Sequence, residues 1–213
     1  MKTRLILIRH GESLGNSKRI ILGHTDWDLS PLGYRQAEIT AAALADRHID
    51  AIYSSDLMRA YHTVLPMARS RGLTVTSDTS LRELFVGEWE GREVHELIET
   101  YGDLYLVEWR QHFGTFTAPG GESVVALGER IEQALARIAE KNEGETLIIG
   151  LHAAAIRSFW GRISGIAPED LAGAFPFPTN ASFSEVDFEG REFYPVAYSC
   201  DAHLAELVTA FNA

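Results

Sequence analysis

A chain of 213 residues is long enough for one sizeable hydrophobic core with room for a small cap. Its 46% hydrophobic and 23% charged residues are ordinary for a soluble globular protein, and no apolar run reaches the roughly 18–20 residues of a membrane span. A net charge of −11 argues against nucleic acid as a partner.

The opening MKTRLILIRHGES puts basic residues before a short apolar run. Arg9-His10 interrupts that run and no small-residue cleavage site follows, so a cytoplasmic protein is expected rather than a secreted one. Residues 3–8 read as a buried strand. Ser30-Pro31 is an N-cap followed by proline at the first helical position, opening a helix through about residue 47. Residues 51–54 form a short strand. A helix runs from 56 to about 65, where Pro66 ends or kinks it. Residues 92–101 are helical. Val124, Leu127, Ile131, Leu135 and Ile138 recur at helical spacing within a helix over 122–140. Residues 146–151 are a second buried strand, followed by a helix over 153–163. Strands over 183–187 and 193–198 pair as a hairpin around Glu189-Gly190. Alternating strands and helices predict an α/β sheet covered on both faces, with an antiparallel strand late in the chain. The single cysteine, Cys200, excludes an internal disulfide and reads as a buried bystander thiol.

Two strands share one design. "LILIRHG" ends in His10 and "TLIIGLHAAA" ends in His152, each at the carboxyl edge of the sheet where open α/β folds bind ligands. Either histidine alone is most plainly a structural residue at a strand end. Two at matching ends, one flanked by Arg9 and Gly11, favour function. Zinc spacing is missing: there is no H-x-H and no H-E-x-x-H, and "HELIE" from His95 fails at its last position. No G-x-x-x-x-G-K phosphate loop is present. Histidine among arginines is left. Arginine forks match phosphate oxygens, and flanking positive charge keeps an imidazole neutral and nucleophilic, which suggests phosphoryl transfer through a phosphohistidine.

"LIRHGES" followed by Asn16, then "YSSDLMRAYHT", "LRELFVGEWEG", "APGGES" and "GLHAAAIR" resemble, in order and spacing, the histidine phosphatase superfamily, the phosphoglycerate mutase-like fold. The resemblance covers residues 3 to about 160 well and "PTNASFSEVDFEG" more loosely. It implies a three-layer α/β/α fold with a mostly parallel central sheet. It also implies one domain over 1–213, with a substrate-covering segment at about 90–120. His10 would be the nucleophile, and Arg9, Arg59 and His152 would bind the phosphoryl oxygens. Glu83 would be the general acid and then the base, with Leu84, Phe85 and Trp89 keeping water from it. Gly11, Ser13, Asn16, Gly23 and Ala153 would complete the substrate contacts. Gly11 would let the backbone approach the phosphate, and the helix after His152 would aim its positive end there. No metal and no cofactor is expected. The partner would be a small phosphorylated metabolite, and a homodimer is one option for assembly.

The chain also departs from the family pattern. Ala153, Ala154 and Ala155 stand where the family usually has glycines, although their N–H groups still donate. His62 stands where glutamine often precedes threonine. The segment "VGEWEGREVHEL" resembles the phosphatase branch and lacks the tyrosine and lysine-bearing loop of the mutases; its one cation is Arg92. Monophosphate hydrolysis is therefore expected, with a cofactor-dependent phosphoglycerate mutase or a non-catalytic binding module as alternatives. Tyr101, Tyr105, Trp109, Phe113 and Phe116 are either a lid over the leaving group or a helix packing aromatics into the core. Arg19 is either a substrate contact or a surface arginine.

Overall fold

The computed structural model describes residues 1–102 and 104–209, apart from the side chains of Leu104 and Leu106. In chain order its elements are β1 (Thr3–Arg9), α1 (Leu14–Ser17), α2 (Pro31–Ala43), β2 (Ala51–Ser54), α3 (Met58–Arg71), β3 (Val75–Ser77), α4 (Val94–Tyr101), α5 (Val124–Lys141), β4 (Thr146–Leu151), α6 (Ala153–Ile163), α7 (Leu171–Ala174), β5 (Phe183–Glu189) and β6 (Glu192–Cys200). Alternation along β1 decides the layering. Leu5 and Leu7 point into one core with Leu127, Ile131 and Leu135 of α5 and Phe159 of α6. Ile6 and Ile8 point the other way, onto Ala41 of α2 and Val64 and Met67 of α3. β4 repeats the pattern, with Leu147 and Ile149 on the first side and Ile148 on the second. The result is one sheet between two helical layers.

The strand order is β3-β2-β4-β1-β5-β6. β3, β2, β4 and β1 run parallel, β5 is antiparallel to β1, and β6 pairs antiparallel with β5. The hairpin turn is Gly190-Arg191, both at positive φ, the geometry that suits the twist of two antiparallel strands. Register brings Arg9 opposite Leu151. His10 and His152 therefore leave the sheet side by side at its carboxyl edge.

The structure departs from the sequence expectations in several places. α3 continues through Pro66 to Arg71. Proline removes a single N–H, and burial of Val64, Met67 and Ala68 keeps the helix on the sheet beyond it. The first turn of α3 is capped from a distance, with the Met58 N–H donating to Asp26 Oδ1 at 2.7 Å. Leu57 at the N-cap supplies no side-chain bond. α2 stops at Ala43, short of residue 47. Cys200 is half-buried at the end of β6 rather than fully enclosed. Among residues 101–118, Tyr105, Trp109, Phe113 and Phe116 are buried and pack on Trp89 and one another. They pack into the main core, entered through one π-helical turn at Leu104–Trp109, and Trp109 also lines the cleft at the carboxyl edge of the sheet. No helix among the described residues is long and apolar enough to cross a membrane.

Candidate active site

At the carboxyl edge of β1 and β4 the His10 and His152 rings meet edge to face, 5.3 Å between centroids. Both are buried, as are Arg9 and Arg59. His10 Nδ1 lies 2.7 Å from the Gly11 carbonyl. A carbonyl only accepts, so Nδ1 carries the proton and Nε2 keeps its lone pair. Burial, then Arg59 and Arg9, hold the His10 pKa well below its ordinary value. Burial, Arg59 and His10 do the same to His152. Both imidazoles are therefore neutral at neutral pH.

The two arginines are fixed by backbone carbonyls. Arg59 donates from Nη2 to Gly23 O at 2.7 Å and from Nη1 to Thr25 O at 3.0 Å. Arg9 donates from Nη1 to Pro178 O. Burial lowers each guanidinium to about 10, which leaves both charged at neutral pH. Arg9 Nε and both ring nitrogens of His152 are buried without partners among the described residues. Unsatisfied buried polar atoms of this kind carry a cost that a polar ligand would remove.

The N-terminus of α6 points at this place and holds the Glu83 carboxyl group. Glu83 Oε2 accepts from Ala154 N at 3.1 Å, and Oε1 accepts from Ala155 N at 3.1 Å and Leu84 N at 2.9 Å. Alanine in place of glycine is compatible with this because only the N–H groups are used. Arg82 pairs with Asp56, not with Glu83. The Glu83 carbonyl accepts from His24 Nε2 at 2.8 Å and from Arg130 Nη2 at 3.1 Å, so an imidazole and a guanidinium position the loop that carries the carboxylate. Leu84 is buried and lines the cleft with Glu83, whereas Trp89 is buried among Tyr101, Tyr105, Trp109 and Phe116 and does not line it. Phe85 is 39% exposed and turns to the His24 ring instead, so it does not shield Glu83 as expected.

The expected substrate contacts divide. Asn16, Gly23 and Ala153 line the cleft with Arg9, His10, Arg59 and Glu83. Gly11 and Ser13 do not. A Cβ at Gly11 would sit 2.6 Å from the Gly33 carbonyl, so the glycine there permits close packing on α2 rather than approach to a phosphate. Ser13 is fully buried, and its Oγ accepts from Asn16 N at 3.0 Å as the N-cap of α1. Gly11–Gly15 spells G-x-S-x-G, the pattern of a serine hydrolase elbow. That capping bond and the burial of Ser13 mean it is not an exposed nucleophile. His62 pairs with Asp28 and Tyr34 and does not line the cleft.

Sequence reasoning missed Asn180. Its Nδ2 donates to the His10 carbonyl at 3.1 Å and to Asn16 Oδ1 at 3.2 Å. Asn16 Oδ1 also accepts from Ser13 N. With its oxygen so engaged, the Asn16 amide presents its NH2 elsewhere. Ala181, buried at a positive φ of 57°, donates its N–H to the Arg9 and His10 carbonyls. Only the loosely matching tail hinted at these residues.

The cleft encloses about 620 Å³ of empty space, including its open mouth. Among the described residues no group of three or more His, Cys, Asp or Glu is arranged to hold a metal ion. A profile described as "Histidine phosphatase superfamily (branch 1)" matches residues 5–201. Phosphoserine phosphatase 1 of Hydrogenobacter thermophilus is 31% identical over 204 residues, 95% of each chain. The 2,3-bisphosphoglycerate-dependent phosphoglycerate mutase of Cytophaga hutchinsonii is 31% identical over 172 residues, 79% of this chain and 80% of the mutase. The solved structure of Bacillus stearothermophilus YhfR superposes with a TM-score of 0.89 at 25% identity, covering 95% of this chain and 99% of that one.

Proposed function

The chain belongs to the histidine phosphatase superfamily, and we propose that it is a phosphomonoester hydrolase that works on a small phosphorylated metabolite through phosphohistidine at His10. The observation that carries the proposal is the fixed tautomer. Nδ1–H is committed to Gly11 O, Nε2 keeps its lone pair, and the buried Arg59 and Arg9 guanidiniums act on the ring. In the first half-reaction His10 Nε2 bonds to phosphorus as the P–O bond to the alcohol breaks. Glu83 gives its proton to the departing oxygen. In the second, Glu83 takes a proton from water, the water oxygen bonds to phosphorus, and the P–N bond breaks. Arg9 and Arg59 offset the phosphoryl charge throughout, with His152, Asn16 and the N–H of Ala153 beside them.

Hydrolysis is favoured over mutase activity because the described residues lining the cleft include no cation beyond Arg9 and Arg59. Arg92, the candidate for a second phosphate, donates to Thr100 and lies over the Tyr101 ring, away from the cleft. His10→Ala should abolish turnover without unfolding the chain. Rapid quench of the native enzyme should trap an acid-labile, base-stable phosphoryl group on His10. Near-normal turnover in the variant would refute the assignment. Because arginine supplies the counter-charge, activity should persist after exhaustive chelation; loss reversed by zinc or magnesium would refute that part.

A further inference from the structure

Resting on the hydrolase reading, the substrate class can be narrowed. Among the described residues lining the cleft, the cations are Arg9 and Arg59. Its walls are Ile20, Leu22, Leu84, Val86, Trp109 and Phe177. Glu83, the one acidic group among the described lining residues, is already bonded to the start of α6. Arg19 and Arg110 are exposed and do not line the cleft.

The aromatic part of the wall is built and held. Trp109 and Phe177 stack with ring planes 23° apart and centroids at 6.0 Å. The Arg157 guanidinium lies 4.3 Å from the Phe177 ring centre and donates to Ala172 O at 2.9 Å, so a buried cation backs the ring. Phe113 meets Phe177 edge-on at 4.8 Å, and Trp109 is wedged by Phe113 and Phe116 at 5.2 Å each. Such a wall costs little to order when a flat apolar group arrives.

We propose that the leaving group is an uncharged, largely apolar alcohol, aromatic or aliphatic, and that Trp109 and Phe177 set this preference. A carboxylate or ammonium on the leaving group would lose water against these walls and meet no counter-ion there. An apolar skeleton would gain by burial. This differs from what the name of the phosphoserine phosphatase relative would suggest for it.

The test compares kcat/KM for benzyl phosphate, ethyl phosphate and phosphoserine. All three leave as alkyl oxygens, so the comparison reads recognition more than leaving-group acidity. Hydrophobic pockets discriminate by roughly 10–200-fold per added group. Benzyl phosphate should therefore exceed both others by at least about tenfold. The benzyl-to-ethyl ratio should fall severalfold in Phe177→Ala and in Trp109→Leu, each checked by circular dichroism. Phe177 is half-buried, which keeps the test informative should Trp109→Leu fail to fold. Phosphoserine turned over as well as benzyl phosphate would overturn the proposal, as would a ratio unchanged in Phe177→Ala. A phosphoserine preference abolished by Arg19→Ala would overturn it by identifying the missing counter-ion. No hydrolysis of any ester, with no phosphoryl group on His10, would overturn the hydrolase reading and this one with it.

Discussion

His10 and His152 are both buried and neutral in the folded chain, and that sets the response to acid. In the unfolded chain each titrates near the ordinary histidine value of about 6.5. A folded-state pKa below that value leaves stability untouched above about pH 6.5. Below it the unfolded chain binds protons that the folded chain excludes, and stability falls with pH. Between pH 7 and 5.5, a histidine kept neutral by folding lowers stability by about 1.2 kcal/mol, and two by about 2.5 kcal/mol. His203, also lowered by burial, acts in the same direction. The lowered carboxylates, among them Glu185 and Asp187, lose their contribution only at more acidic pH, below about 4. Urea unfolding followed by fluorescence at half-unit steps from pH 7.5 to 5.5 measures the slope. The His10→Ala/His152→Ala double variant should lose most of it, whatever its stability at pH 7.5. An equal slope in the native chain and the double variant would refute the argument.

Three more outcomes follow from the geometry. Gly11→Ala forces a Cβ to 2.6 Å from the Gly33 carbonyl; overpacking of this kind should cost about 1–3 kcal/mol in urea unfolding, and an unchanged midpoint would show that α2 yields. Asn180→Ala removes donors to the His10 carbonyl and to Asn16; it should cost about 1–2 kcal/mol and weaken inhibition by inorganic phosphate, and a loss of stability with phosphate inhibition intact would mean that Asn16 is oriented without it. Glu83→Gln should slow single-turnover phosphorylation of His10 by an alkyl phosphate roughly 10²–10⁴-fold, with a smaller loss for an aryl phosphate of acidic phenol; equal losses would remove Glu83 as the acid.

What was legible in the sequence was what neighbouring residues decide. Residues 146–151 and 153–163 lie where their patterns placed them, because an unbroken apolar run and an amphipathic period are local signals. β3 escaped notice at three residues, too short for any period. Pro66 misled because the burial that carries α3 past it comes from the sheet. The histidine pair was readable because both residues end strands, while adjacency of those strands came from the register of β1 on β4. Asn180, Arg130 and His24 were invisible because each acts on backbone far along the chain, the last two on the Glu83 carbonyl. Gly11 carries the motif's glycine, yet the contact that requires it is on Gly33, 22 positions away.

The two buried arginines of the cleft, Arg9 and Arg59, sit in a chain whose net charge is −11. A phosphomonoester dianion approaching from solution meets the protein's long-range field before it meets those guanidiniums. Repulsion between exposed charges fades over a Debye length of about 10 Å at 0.1 M salt, whereas groups sealed under the cleft floor are screened far less. Encounter rates should therefore rise as ionic strength is raised from low values, the reverse of the salt dependence of an electrostatically steered enzyme. The favourable field is confined to the last few ångströms of the approach.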